Sequence, residues 1–210
     1  MTSWRNFSSP LLLDLATLRA YESRLRALGV PITQESPAGL TEKQMSATLS
    51  PLGLGLPVEA RVWWGWHDGA NGQGLRKPLA PVGGRLLSLA QAVDAYKLFK
   101  RSAERGVEPD IPALANPDDR WHPAWLPIVG PQHPIVVDCS VPQGEPTPLR
   151  LIDLADVEGS PRIRAGSLGE MIALWNRALD DGGWRWDSER GRWEVRRELM
   201  DEDYRMSALV

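Results

Sequence analysis

Apolar residues recur with helical spacing in several stretches of the chain. Leu11, Leu15, Leu18, Leu25 and Leu28 fall on one face of a helix predicted over 10–28, with Gly29 as its stop. Leu89, Ala92, Val93, Tyr96, Phe99 and Ala103 predict a second over 89–104, closed by Gly106. Leu168, Met171, Ile172, Trp175, Ala178 and Leu179 form a third stripe, ended by Asp180-Asp181-Gly182-Gly183. A shorter helix starts at Thr41 and ends before Pro51; another, over 57–66, has Pro57 in its first turn and Val58, Val62 and Trp66 on one side. Thr41 with Gln44, Ser88 with Gln91, and Ser167 with Glu170 have capping-box spacing, in which each end of the pair satisfies a backbone N–H of the other.

Other stretches read as strands. Ile135–Cys139 is a β-branched run bounded by Pro and Gly turns, and 149–154 is its expected partner across a hairpin connection at 142–148. Arg162–Ala165 adds a short strand. Trp184-Arg185-Trp186-Asp187 and 192–196 alternate around a Gly-containing turn, which predicts a β-hairpin with Trp184, Trp186 and Trp193 on one face. The Gly- and Pro-rich stretch 67–84 reads as a loop, as does the Pro-rich 107–134, which ends in Trp121-His122-Pro123-Ala124-Trp125-Leu126-Pro127-Ile128-Val129. The run Pro51–Pro57 reads as a tight turn. Hairpin-length links favour an α+β fold, helices packed on a mainly antiparallel sheet, as one domain over 1–197 with a flexible tail over 198–210.

Composition narrows the class. A chain of 210 residues and 23.3 kDa can bury about 70% of its unfolded surface without a disulfide or metal. With 42% hydrophobic and 24% charged residues, disorder, a coiled coil or a membrane bundle fit poorly. No segment approaches the roughly 18 apolar residues of a membrane span, and Asp14 interrupts Leu11-Leu12-Leu13, which argues against a signal peptide. The lone Cys139 excludes an internal disulfide and a Cys-rich zinc site, so the cytoplasm is the expected compartment. Residues 1–110 carry 13 basic and 10 acidic groups, and residues 111–210 carry 11 and 17. That acidic half argues against a nucleic-acid partner; it would suit a basic protein or an ordinary solvated surface.

Motifs for chemistry are sparse. His67, Asp68, His122, His133 and Cys139 are metal-ligand types, but no pair has zinc-like spacing, so neither metal nor cofactor is expected. There is no Gly-x-Ser-x-Gly elbow, and Gly72-Gln73-Gly74 is too short for a phosphate loop. Asp118-Asp119, Asp180-Asp181 and Asp153 with Asp156 are carboxylate pairs, the first two in turn or helix-end contexts that favour Asp for local hydrogen bonds. The 10 tryptophans are core builders first, and Trp and Arg are also the residues enriched as anchors at interfaces.

Read in order, several short motifs together resemble the SUKH superfamily, which includes the yeast cell-wall-assembly regulator and bacterial immunity proteins of polymorphic toxin systems. Leu56-Pro57 opens a helix ending in Trp66-His67-Asp68-Gly69; Leu87-Ser88-Leu89 precedes the next helix; Trp125-Leu126-Pro127-Ile128 resembles the family's aromatic-Pro-Ile strand; Asp138 follows an apolar run; Ser167-Leu168 leads to Met171-Ile172. The resemblance spans about 11–180, with Asp68 where Asn is common and Leu168 where an aromatic is usual. It implies a non-catalytic protein-binding domain, most often one that occludes a toxin domain encoded nearby. The contacts expected on that reading are His67, Asp68, Asn71, Trp121 and Asp153. Two other readings stand beside it: a regulatory or scaffold protein for an endogenous partner, and a hydrolase using His67, Asp68 and His122, which requires those three to converge on one pocket.

Overall fold

The computed structural model describes residues 11–32, 36–70, 79–81, 84–106, 121–130, 134–152 and 162–200. Four of the five described α-helices begin where a side chain caps them. Asp14 accepts from Thr17 N–H at 2.7 Å and starts α1 (Leu15–Ala27), so the first helix opens later than the apolar periodicity predicts. Thr41 and Gln44 form the expected reciprocal box before α2 (Glu42–Leu49), and Ser88 and Gln91 another before α4 (Leu89–Arg105). Between them α3 (Val58–Trp66) follows Pro57. Ser167 caps α5 (Leu168–Asp180), accepting from Glu170 N–H at 2.9 Å, but the Glu170 carboxylate accepts from Gly166 N–H, one residue beyond the Ser167 N–H that a full box would use.

Five strands form an antiparallel sheet in sequential order: β1 (Arg85–Leu86), β2 (Trp125–Gly130), β3 (Ile135–Asp138), β4 (Leu149–Leu151) and β5 (Arg162–Ala165). The architecture is the expected α+β one. The strand β2 corrects the expectation that 107–134 is irregular throughout. Cys139 N–H donates to Ala124 O, so alternation makes 126/137 a hydrogen-bonded pair and leaves Pro127 opposite Val136 in a non-hydrogen-bonded one. Pro127 therefore removes no bond from this ladder, and the register shifts just after it. All six residues of β2 are buried, which explains the lack of alternation in its sequence. The expected strand at 149–154 ends at Leu151; positions 153 and 154 lie outside the described residues.

A second sheet pairs β6 (Trp184–Asp187) with β7 (Arg192–Val195). Its inward tryptophans join a chain of rings through the core, Trp66–Trp63–Trp175–Trp184–Trp193–Trp186, with centroid steps between 5.3 and 6.3 Å. On its outward face Arg185 lies opposite Glu194, and Asp187 opposite Arg192. The indole stripe is thus core. Beyond it, Arg197–Leu199 makes one helical turn and Met200 is buried, lying where a side chain at Gly183 would have to go. Of the expected tail, Glu198 and Leu199 are exposed and Met200 is packed; positions 201–210 lie outside the described residues. No helix among the described residues is long and apolar enough to cross a membrane.

One buried carboxylate ties these parts together. Glu59 on α3 has no exposed surface. Its Oε1 accepts the N–H of Leu13 at 2.8 Å and of Gly169 at 3.1 Å, and its Oε2 accepts the N–H of Thr147 at 2.6 Å. Nearby, Ser167 Oγ donates to Leu11 O at 2.6 Å, and Gly169 has no room for a side chain, whose Cβ would lie 2.1 Å from that carbonyl oxygen. Replacing Glu59 with Ala leaves three buried donors without an acceptor. At about 1–3 kcal/mol for each, Glu59→Ala is expected to lower the unfolding free energy by at least about 3 kcal/mol in urea denaturation, with Glu59→Gln intermediate because its amide keeps one acceptor. A loss under about 1 kcal/mol would mean that the network does not hold these segments together.

Candidate binding surface

The polar residues singled out in the sequence are bound into the framework. His67 follows α3 in extended conformation. Its Nδ1 donates to Pro37 O at 2.9 Å, and its Nε2 faces Glu22 Oε2 at 3.7 Å. The same edge carries a bridge between Ala38 and His67 and a bond from Leu40 N–H to Trp64 O at 2.8 Å. Gly39 permits this approach, since a Cβ there would sit 1.9 Å from Gly65 O. Asp68 Oδ1 accepts Leu89 N–H at 2.7 Å, placing a carboxylate at the positive end of α4. Trp121 is buried, stacked on Phe99 at 4.9 Å and edge-on to Tyr96 and Trp125. Asn71, Asp153 and His133 lie outside the described residues.

The hydrolase arrangement does not assemble among these side chains. Asp68 is engaged at Leu89, His122 lies beside Tyr96, about 10 Å further along α4, and His67 turns toward α1. Among the described residues no group of three or more His, Cys, Asp or Glu is placed to hold a metal ion. Burial, with a smaller contribution from the Asp138 charge, pushes the Cys139 thiol up to about 12, which leaves no thiolate near neutrality.

Glu22 is a junction that sequence reading missed. Its Oε1 accepts from Arg26, its Oε2 accepts from Trp66 Nε1 at 2.8 Å, and His67 stands beside it, so α1 is fastened to the end of α3. Burial alone would raise its carboxyl, but the bonds from Arg26 and Trp66 and the His67 charge together hold it below its ordinary value of 4.5. No motif marked this residue, because it sits at an unremarkable polar position of an amphipathic helix.

What faces outward is a groove of about 560 Å³ lined by Leu52, Leu54, Tyr96, Lys100, His122, Pro123 and Ala124. Leu52 and Leu54 are half-buried on a turn that Gly53 closes at φ +66°. The Tyr96 hydroxyl donates to Pro123 O at 2.9 Å, which fixes the 122–124 turn against α4. Ala124 N–H donates to His122 Nδ1 at 3.2 Å, so Nδ1 is an acceptor and the ring proton is on Nε2. His122 and Lys100 are exposed and offer hydrogen-bond donors.

Charge on the described body differs from that of the whole chain. The chain carries −3, yet its described residues hold 19 basic and 16 acidic side chains. Within 111–210 the described part carries nine of each, so the acidic excess of that half lies in segments outside the described residues. An acidic steering surface therefore has no counterpart on the described body.

A scan against protein-family models finds none that matches the chain, and a search of curated proteins finds no relative.

Glu22 generates a pH prediction. Its carboxyl titrates lower folded than unfolded, so its stabilisation is fully present above pH 4.5 and is lost as pH falls through the folded value. The stability difference between the wild type and Glu22→Gln is expected to be constant above that pH and to shrink below it, read from thermal melts at a series of pH values. A difference that grows on acidification would contradict the assignment.

Proposed function

We propose that this chain is a non-catalytic protein-binding domain that neutralises a toxin domain encoded nearby by occluding it. The observation that carries the reading is the outward groove: a preformed surface with aliphatic walls and unengaged donors at Lys100 and His122. By contrast, His67, Asp68 and Glu59, the side chains with most chemical potential near α3, are engaged in holding segments of the fold together. The resemblance to SUKH proteins supports the same reading, and supplies the toxin as partner. Occlusion needs rigidity on the binding side. The turn bearing Leu52 and Leu54 and the turn bearing His122 both have that, the first through Pro51 and Gly53 and the second through Tyr96.

The test is co-expression of the chain with the toxin domain of the adjacent gene. The expected outcome is restored growth and a stoichiometric complex, burying roughly 1,600 Å² in total as a stable interface requires, with the toxin unchanged in mass on release. Absence of a complex overturns the toxin reading. A covalently altered toxin overturns the non-catalytic one.

A further inference from the structure

We propose that the groove between the 52–54 turn, α4 and the 122–124 turn takes an acidic, aliphatic segment of a protein partner. An apolar side chain lies against Leu52, Leu54 and Pro123, and a neighbouring carboxylate is held by Lys100 and His122. This rests on the reading of the chain as a binding domain, and is independent of whether the partner is a toxin.

The sign of the occupant follows from which polar atoms remain unengaged. The Tyr96 proton goes to Pro123 O, and the His122 Nδ1 lone pair goes to Ala124 N–H. What remains at the polar edge is the Lys100 ammonium and His122 Nε2–H, both of which call for an acceptor. The surrounding cations have the same need. Lys97, Lys100, Arg101 and Arg105 on α4 make no ion pair among the described residues, as is true of other exposed cations such as Lys43 and Arg85, so the groove edge is cationic with no carboxylate of the described chain paired to it. The helix itself supplies only Asp94 and Glu104 against Lys97, Lys100, Arg101 and Arg105. A basic segment would meet ammonium against ammonium, and a second copy would set one such cationic face against another. A carboxylate beside an aliphatic group satisfies the edge and covers two half-exposed leucines at once.

The experiment uses the full chain, labelled with ¹⁵N and ¹³C, and two synthetic hexapeptides of equal apolar content. One alternates leucine with glutamate, the other leucine with lysine. The glutamate peptide is expected to shift the resonances of Leu54, Lys100, His122 and Ala124 and to saturate in the millimolar range, more weakly as salt is raised. Lys100→Glu, at an exposed helix position that leaves the melting temperature unchanged, should weaken it about tenfold. Leu54→Asn should weaken it in the same way and serves as a second, charge-independent probe of the apolar wall. Absence of groove shifts with the glutamate peptide, equal shifts with the lysine peptide, or an unchanged affinity in Lys100→Glu overturns the proposal. So do groove shifts that track protein concentration without peptide, which would make a second copy the occupant. Because no toxin enters this measurement, its failure leaves the co-expression result untouched, and a missing toxin complex leaves this result untouched.

Discussion

The fold depends on a carboxylate without access to water. Burying an ionised group costs several kcal/mol unless its oxygens are fully engaged, and Glu59 meets that condition with backbone N–H groups from three distant parts of the chain. One is Leu13, in the segment before α1; one is Thr147, just before β4; one is Gly169, in the first turn of α5. The last has an extra favourable component, since the N-terminal end of a helix presents partial positive charge. Three segments that share no sequence neighbourhood are thereby set at fixed distances from α3. The late start of α1 follows: Leu11 and Leu13 are held by Ser167 and Glu59 in extended form, and helix can begin only after Asp14.

Much of the fold was legible in the sequence because the relevant physics is local. Capping pairs depend on residues three apart, and amphipathic stripes on a fixed period, so α2, α4 and α5 start where the sequence predicts. The hairpin of β6 and β7 was equally plain, since alternation with a Gly turn has few alternative readings. The parts that were hidden depend on pairing across long separations. β2 holds a proline and no alternation, and becomes a strand only because its neighbours leave Pro127 at a position that requires no donor on the β3 side. Glu59 reads as an ordinary solvent-facing position on a short helix, and its partners are backbone groups, which carry no side-chain signature. Glu22 was hidden for a similar reason, with its partners on two different helices.

The candidate site was legible only in part. His67, Asp68, Trp121 and His122 stand out in the sequence by residue type, and type does not say which way a ring or carboxylate points. Asp68 accepts the Leu89 N–H at the start of a helix 21 residues further on, a structural role that either Asp or Asn can fill. Trp121 was read first as a core builder and, on the binding reading, as a contact, and it lies in the core for the commoner reason, area. The acidic excess of the C-terminal half does not lie on the described body, because net charge averages over segments that need not border one face.

The two histidines differ in how their ring nitrogens are engaged. In His67 both ring nitrogens are directed at groups of the same chain, one at Pro37 O and the other toward Glu22, and the side chain is largely covered. Its Nδ1 is thereby committed, and its Nε2 is buried without a hydrogen bond among the described residues. In His122 one nitrogen is engaged by Ala124 N–H, which orients the ring, and the exposed ring lines the same groove as Lys100. An internal bond that fixes orientation while leaving a donor unengaged is what a recognition residue requires, because the ordering entropy of the side chain is then already lost before a partner arrives. The same reasoning extends to the leucines: Leu56 is buried in the core, whereas Leu52 and Leu54 on the same Gly-Pro-hinged run are held half-exposed by the turn that precedes it. Among the described residues, half-buried apolar side chains and unengaged donors thus stand side by side at this groove, between a turn, a helix and a strand entrance.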